Sequence, residues 1–240
     1  MSRWAAGTLA ARLHDTFHAD WRRVGAEQRR AWARLVLAGI ITTAVLLLAM
    51  IVVMRRITAG SNHFPWEEVA LRHIEQGPIG FGTALWLQTL GSDFMLLAVV
   101  VPTAMLAISR HRPLFAASIL LALITMDALV RIGWFAYARH RPDIIAQGLA
   151  APGFHSFPSG HTAKTVVIYG LLMAQWIRAS RSGAEQTVAV IVGLAITVVV
   201  PYGRLRMGAH WPTDILGGYV VGAAWLVFLL LALRNEPGPP

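Results

Sequence analysis

Two histidines beside predicted helix starts are the residues of this chain best suited to chemistry. His161 follows Pro158-Ser159-Gly160, a sequence typical of a helix start, with Ser159 as the candidate N-cap. The backbone N–H groups of Gly160, His161 and Thr162 would then be free at the positive end of a helix dipole, where anions bind readily. A histidine in that first turn could donate a proton to the bound anion.

The second histidine, His210, lies in a polar stretch that ends at Asp214. Pro212 suits the first position of a helix whose first turn would contain Asp214, and the helix dipole favours an ionised carboxylate there. Asp214 could accept a hydrogen bond from one imidazole nitrogen of His210 and leave the other nitrogen as a nucleophile or base. Taken alone, either histidine could equally be a structural or solvated residue.

Arginines accompany both histidines, with Arg141 before the first and Arg204 before the second. The planar guanidinium group suits the oxygens of a phosphate. Phosphoryl transfer needs positive charge on those oxygens, an in-line nucleophile and an acid for the leaving oxygen. The residue types therefore indicate chemistry on a phosphate group.

The composition excludes an ordinary soluble domain, because 56% of the 240 residues are hydrophobic and 14% are charged, with a mean hydropathy of +0.56. The absence of cysteine excludes disulfides and Cys-ligated metals. The net charge of +9 comes almost wholly from arginines scattered among apolar runs, which favours basic loops beside membrane helices over a nucleic-acid partner.

Apolar runs predict an all-α, polytopic integral membrane protein, since the longest can cross a hydrocarbon core of ~30 Å. The six predicted transmembrane helices cover residues 35–54, 92–109, 114–137, 163–177, 186–200 and 214–233. Residues 55–91 are predicted as an external segment of short interfacial helices, and both motif loops fall on that outer side. The predicted organisation is a basic cytoplasmic segment (1–34), a six-span domain (35–234) and a short cytoplasmic tail (235–240). Part of the first segment could be an amphipathic surface helix, or all of it a solvated basic tail.

The three polar stretches together resemble the signature of the type 2 phosphatidic acid phosphatase superfamily: Lys-x6-Arg-Pro, Pro-Ser-Gly-His and Ser-Arg-x5-His-x3-Asp. Arg141-Pro142 matches the end of the first part, and residues 158–161 match the second. The third part is matched by Arg204, His210 and Asp214 at the family spacing. The six-span layout agrees with the membrane lipid phosphatase branch.

The resemblance implies a role for each matched residue. His210 would be the nucleophile that forms a phosphohistidine, Asp214 its orienting partner and His161 the general acid. The phosphate would be bound by Arg141, Arg204 and the backbone of Ser159 and Gly160. By the same resemblance, no cofactor and no metal are expected.

Two positions depart from the family pattern. Gly203 replaces the serine of the third part, and Trp134 replaces the lysine of the first part and cannot supply its charge. The candidate replacements are Arg131, Arg139 and Lys164. Lys164 is favoured as a substrate-binding residue because it is the only lysine of the chain and shares a helix face with His161. Arg131 is spaced to pair with Asp127 within one span, which favours a structural ion pair.

The sequence therefore predicts a phosphatase that acts on a lipid phosphate or pyrophosphate of the undecaprenyl pyrophosphate, phosphatidate or phosphatidylglycerol phosphate type. It would lie in a bacterial inner membrane with its active site facing the periplasm. Three alternatives compete with this prediction: a lipid phosphotransferase that uses the same site, a vanadium haloperoxidase, which six spans and a small chain disfavour, and a non-enzymatic membrane protein, either a transporter or a catalytically degenerate family member. The oligomeric state and the preferred lipid stay open.

Overall fold

The computed structural model describes residues 8–58, 61–145, 148 and 155–236, which form nine α-helices and no β-strand. The helices are α1 (Leu9–Arg23), α2 (Ala26–Ile57), α3 (Pro65–Glu75), α4 (Phe81–Thr89), α5 (Asp93–Ser109), α6 (Pro113–Tyr137), α7 (Gly160–Ala179), α8 (Gly183–Arg206) and α9 (Pro212–Ala232). The predicted all-α class is therefore confirmed.

Five helical segments are long and apolar enough to cross a membrane: Ala26–Ile57, Phe81–Ser109, Pro113–Tyr137, Gly183–Arg206 and Pro212–Ala232. The sixth long helix, α7, has 20 residues and is therefore ~30 Å long. It packs against α6, α8 and α9 and is buried over most of its length. Because protein rather than lipid surrounds α7, it can carry polar side chains that a lipid-facing helix would exclude.

The second span differs from its prediction, because it begins at Phe81 and combines α4 with α5. The helix is interrupted around Gly91, where an added Cβ would lie 2.6 Å from a methyl group of Val200 and 2.8 Å from the hydroxyl of Thr165. The interruption therefore lies tightly against α7 and α8. Because residues 77–91 contain several glycines and a proline, the sequence predicted an external segment there. In the structure, α4 packs along α8.

Helices α7 and α9 approach each other closely through glycines of α9. A Cβ on Gly218 would lie 2.8 Å from the carbonyl oxygen of Ser159, and a Cβ on Gly222 would lie 2.7 Å from that of Ala163. The two helix starts are also joined by a backbone hydrogen bond of 3.0 Å from Ser159 N–H to the carbonyl of Asp214. This packing places the starts of the second and third motifs side by side.

The bundle has two distinct polar ends. At one end, the loop that follows α6 and the start of α9 meet α3. At the other end, α1 joins the loop between α5 and α6 through His111 and Asp20, whose side chains are 2.8 Å apart. The predicted helix in the N-terminal segment is therefore present, and its contacts with α5 and α6 attach it to the bundle. Trp4, a candidate for its apolar face, lies outside the described residues.

Candidate active site

The start of α7 has the cap that the sequence predicted. The side chain of Ser159, fully buried, accepts hydrogen bonds from the backbone N–H of Thr162 at 3.4 Å and from its hydroxyl at 3.0 Å. The cap uses the Thr162 amide, one of the three expected to face an anion. The first-turn amides that a phosphate could reach are therefore those of Gly160 and His161.

His210 has only 1% of its surface exposed and lies in the turn between α8 and α9. Its Nδ1 is 2.8 Å from the carbonyl oxygen of Ser156. Because a carbonyl oxygen only accepts hydrogen bonds, Nδ1 carries the proton and Nε2 keeps its lone pair. This tautomer leaves Nε2 as the nucleophilic nitrogen.

Asp214 lies beside His210, as its spacing suggested, but the two side chains do not form a direct hydrogen bond. Its Oδ2 is 3.6 Å from Nδ1 of His210, which is beyond hydrogen-bond distance. That oxygen instead accepts hydrogen bonds from the Ser156 hydroxyl and, at 2.7 Å, from the backbone N–H of Trp211. Ser156 therefore lies between the two residues, with its carbonyl on His210 and its hydroxyl on Asp214.

Burial lowers the pKa of His210 to about 4. Asp214 opposes this shift, whereas the positive charges of Arg204 and Arg141 add to it. The imidazole is therefore neutral at physiological pH, which is the form in which Nε2 can attack an electrophile.

Arg204 was predicted in an external loop, but it lies in the last turn of α8. Proline usually ends a helix, so the prediction ended this span before Pro201, whereas α8 continues through that residue to Arg206. The guanidinium of Arg204 donates to the side-chain oxygen of Gln88 in α4 at 3.0 Å. Arg204 is 8% exposed, so α8 and α4 together hold a buried positive charge in the site.

Arg141 approaches the same centre from the loop after α6. It donates to the carbonyl oxygen of Ala209, the neighbour of His210, at 2.5 Å. Burial lowers the pKa of this guanidinium and the charge of Asp214 opposes the shift, yet an arginine stays protonated in proteins. His161 lies close to the positive charges of Arg204, Lys164 and Arg141 and to the imidazole of His210. The fold thus brings the matched residues of all three motifs together.

Lys164 is close enough to act on His161, but its ammonium group is engaged by acidic residues. It donates to Asp93 at the start of α5 and, at 3.3 Å, to Asp127 of α6. Asp127 also accepts a hydrogen bond of 2.7 Å from Arg131, which confirms the predicted ion pair. Within the part of the chain that the structure describes, these acceptors take two of the three N–H groups of Lys164, and the third could donate to a phosphate oxygen.

Arg139, the remaining candidate for the missing positive charge, binds two carboxylates, as Lys164 does, but no part of its side chain is exposed to a substrate. It is fully buried and binds Glu67 at 2.7 Å and Asp214 at 2.5 Å. Sequence reasoning missed Glu67. Glu67 is the third residue of a helix that begins with Pro65, and a glutamate at that position is a visible capping signal. Nothing local in the sequence connected Glu67 with Asp214.

Comparison with known proteins identifies the class to which this fold and site belong. The model of the PAP2 superfamily matches residues 114–237, just over half of the chain. The chain therefore belongs to the PAP2 superfamily.

Two relatives extend this comparison. An undecaprenyl-diphosphatase of Sulfolobus acidocaldarius is 24% identical over 165 residues, which cover 66% of this chain and 72% of the relative. Phosphatidylglycerophosphatase B of Bacillus subtilis is 32% identical over 100 residues, which cover 41% of this chain and 47% of that protein. The second relative is therefore matched over less than half of its length.

Two crystal structures share the fold. A transmembrane PAP2-type phosphatidylglycerolphosphate phosphatase from Bacillus subtilis superposes with a TM-score of 0.66 and 20% identity, covering 81% of this chain and 98% of that one. Aquifex aeolicus LpxE superposes with a TM-score of 0.54 and 20% identity, covering 73% and 99%. The helical membrane architecture is therefore that of other PAP2 proteins.

Proposed function

We propose that this protein is a membrane phosphatase that hydrolyses a lipid phosphate or pyrophosphate monoester through a phosphohistidine at His210. The observation that carries the proposal is the buried, neutral imidazole of His210, whose free Nε2 shares a site with Arg204, Arg141 and His161. The relatives named for undecaprenyl diphosphate and phosphatidylglycerophosphate support a lipid substrate of those types or phosphatidate.

In the first step, Nε2 of His210 forms a bond to phosphorus while the bond from phosphorus to the leaving oxygen breaks. His161 gives its proton to that oxygen, which departs as an alcohol or as phosphate. The substrate phosphate brings negative charge among Arg141, Arg204 and His161, and this charge favours the protonated form of His161 in the complex.

In the second step, a water oxygen bonds to phosphorus and the bond from phosphorus to Nε2 breaks. His161 accepts the proton of that water, and inorganic phosphate leaves. Both histidines then have their starting protonation. Asp214 would oppose the positive charge that the phosphorylated imidazole of His210 carries, because its carboxylate lies 3.6 Å from Nδ1.

The phosphate oxygens would be bound by Arg141, Arg204, the third N–H of Lys164 and the first-turn amides of Gly160 and His161, since the N–H of Ser159 donates to the carbonyl of Asp214. Guanidinium groups and helix N-terminal amides stabilise the charge of a phosphoryl group in the transition state without a metal ion. The expectation of metal-independent activity rests on this set of donors.

We also place the protein in a bacterial inner membrane with this site facing the periplasm. The support is the distribution of basic residues: Arg110, Arg112, Arg178 and Arg181 lie at the end of the bundle opposite the site, with the helix α1. The positive-inside rule assigns such an end to the cytoplasm.

The first test is phosphate release by detergent-purified protein from a panel of lipid phosphates and pyrophosphates in the presence of EDTA. We expect release by the wild type and none by His210→Ala or His161→Ala. Trapping of a 32P-labelled, acid-labile phosphoenzyme in the wild type would identify the intermediate. Release that persists in His210→Ala would overturn the proposed nucleophile.

Product analysis separates hydrolysis from the phosphotransferase alternative. Transfer of the terminal phosphoryl group to water alone, as inorganic phosphate, supports the phosphatase, whereas its transfer to a lipid or sugar acceptor supports a phosphotransferase. Folded protein that releases nothing from any lipid and labels no acceptor would identify a catalytically degenerate family member.

A further inference from the structure

Glu67, near the start of α3, connects two helix starts and a buried arginine. One carboxylate oxygen accepts hydrogen bonds from the backbone N–H of Phe64 at 2.8 Å and from Arg139 at 2.7 Å. The other oxygen accepts the backbone N–H of Thr213 at 3.0 Å and its hydroxyl at 2.6 Å. Glu67 therefore caps its own helix and also the start of α9, where it binds Thr213, the residue before Asp214.

Arg139 completes this arrangement with a guanidinium group that reaches four acceptors. Its Nε donates to the carbonyl oxygen of Asn62 at 2.8 Å. One terminal nitrogen donates to the hydroxyl of Thr213 at 2.7 Å and to Asp214 at 2.5 Å, and the other donates to Glu67. The side chains of Glu67, Arg139 and Asp214 are all fully buried.

The segment before α3 packs on the same loop. The ring of His63 stacks in parallel on Trp211 with 4.3 Å between ring centroids, and the guanidinium of Arg139 lies 5.7 Å from the same ring. The turn that contains His210 is therefore enclosed between the start of α3 and the start of α9.

We infer that Glu67 and Arg139 are positioning residues that fix Asp214 beside His210 and, through Asp214 and Ser156, the imidazole of His210. The inference rests on the proposed function, because it gives Asp214 the task of facing the phosphorylated imidazole. Glu67 and Asp214 place two negative charges around one positive guanidinium. The net negative charge of this group opposes the positive charge that His210 gains when Nε2 binds phosphorus.

Geometry explains why two residues are needed for this task. The Oδ2 of Asp214 is held by Ser156 and Trp211, and its Oδ1 is held by Arg139 alone among the side chains of the described residues. Glu67 in turn fixes the direction of that guanidinium and the first turn of α9. A carboxylate left with one fixed oxygen could rotate away from His210.

Glu67 also lies outside residues 114–237, the part of the chain that matches the family model. The site is therefore completed by a side chain from the N-terminal half of this protein. Helix α3, expected from the sequence to be a plain interfacial element, becomes part of the support of the nucleophile.

The test compares Glu67→Gln, Arg139→Met and the double variant, each with single-turnover phosphoenzyme formation and steady-state kinetics in detergent. Glutamine keeps the shape of Glu67 but turns an amide donor toward Arg139 or Thr213. We expect kcat to fall about 10- to 100-fold with KM within about twofold, the loss expected for displacement of a reacting group by up to 1 Å. If Glu67 acts through Arg139, the double variant loses no more than Arg139→Met alone.

Arg139→Lys adds a second measurement, since a lysine keeps the charge but cannot donate to four separate acceptors. We expect it to fail to restore kcat. The matched control is the buried pair of Arg112 and Glu236 at the opposite end of the bundle, 3.0 Å apart. Glu236→Gln should lower thermal stability but leave the kcat of folded protein unchanged.

The outcomes separate the two proposals. A wild type without phosphate release contradicts the proposed function itself. An active wild type with wild-type kcat in Glu67→Gln overturns the positioning role alone. Equal losses in Glu67→Gln and Glu236→Gln would also overturn it, because both changes would then act only on folding.

Discussion

The indole N–H of Trp134 donates a hydrogen bond of 3.0 Å to the carbonyl oxygen of Pro158. The side chain at the position of the family lysine therefore supports the backbone of the second motif and brings no charge to it. Its ring also lies 3.5 Å from the place of a Cβ at Gly160, so it packs against the start of α7. The positive charge that the family lysine would supply must therefore come from another residue.

We predict that Lys164 supplies that charge. Lys164→Met should lower kcat/KM about 10- to 100-fold, as expected for the loss of one hydrogen bond to a charged group. Adding Trp134→Lys to this variant should restore part of the loss, because it places an ammonium group at the position of the family lysine. Steady-state kinetics with a fixed lipid substrate measures both effects.

Arg131 is the control for this prediction. It belongs to the same ion network through Asp127, but its side chain is 56% exposed. Arg131→Met should therefore change kcat/KM by less than about twofold, since exposed ion pairs contribute little. An equal loss in Lys164→Met and Arg131→Met would show that Lys164 only joins α5, α6 and α7.

The depressed pKa of His210, about 4, predicts an unusual pH dependence. A group with a lowered pKa stays neutral until the pH falls below that value, so His210 should remain a nucleophile well below neutrality. At pH 5.5, most of the imidazole would be neutral, whereas most of a histidine of ordinary pKa near 6.5 would be protonated. Single-turnover phosphoenzyme formation between pH 4 and 7 tests this, with substrate ionisation measured separately. An apparent pKa near 6.5 assigned to His210 would contradict the buried environment.

Local sequence signals predicted the parts of the site that depend on neighbouring residues. The N-cap at Ser159, the helix start at Pro212 and the pairing of Asp127 with Arg131 each follow from spacings of a few residues, and the structure confirms them. The spans were also recognisable, because long apolar runs have few alternatives to a membrane helix.

Long-range contacts were beyond the reach of such signals. Ser156 contributes both its carbonyl and its hydroxyl to the third motif, and Glu67 comes from a helix more than a hundred residues away along the chain. Arg204 was placed in a loop because Pro201 was read as a helix end. In each case tertiary packing decided the outcome, and no periodicity or motif in one sequence records it.

Close packing between α7 and α9 predicts that Gly218→Ala will disturb both stability and activity. The added methyl group would lie 2.8 Å from the Ser159 carbonyl and 2.8 Å from Cβ of Thr162, so the helices must separate. We expect a loss of about 1–3 kcal/mol in unfolding free energy, typical of overpacking, and a lower kcat because the cap of α7 shifts. Gly82→Ala, where nothing lies within 4 Å, is the matched control and should retain both properties.

The last prediction concerns Glu236, which caps a helix far from it in sequence. Its carboxylate accepts the backbone N–H of Phe115 in the first turn of α6 at 2.9 Å and a hydrogen bond of 3.0 Å from Arg112. Both charged side chains are buried. Glu236→Gln removes the charge that balances Arg112, and we expect it to lower the free energy of unfolding by about 1–3 kcal/mol.

Thermal unfolding in detergent measures this loss, and phosphate release per folded molecule should stay at the wild-type level because the pair lies at the opposite end from His210. Asn235→Ala is the control, since Asn235 accepts the side-chain N–H of Gln28 with its backbone carbonyl, which alanine retains. Equal melting temperatures for Glu236→Gln and the wild type would mean that Glu236 does not anchor the end of α9 to α6. A loss of kcat in the same variant would instead indicate that the end of the bundle opposite His210 is coupled to the site.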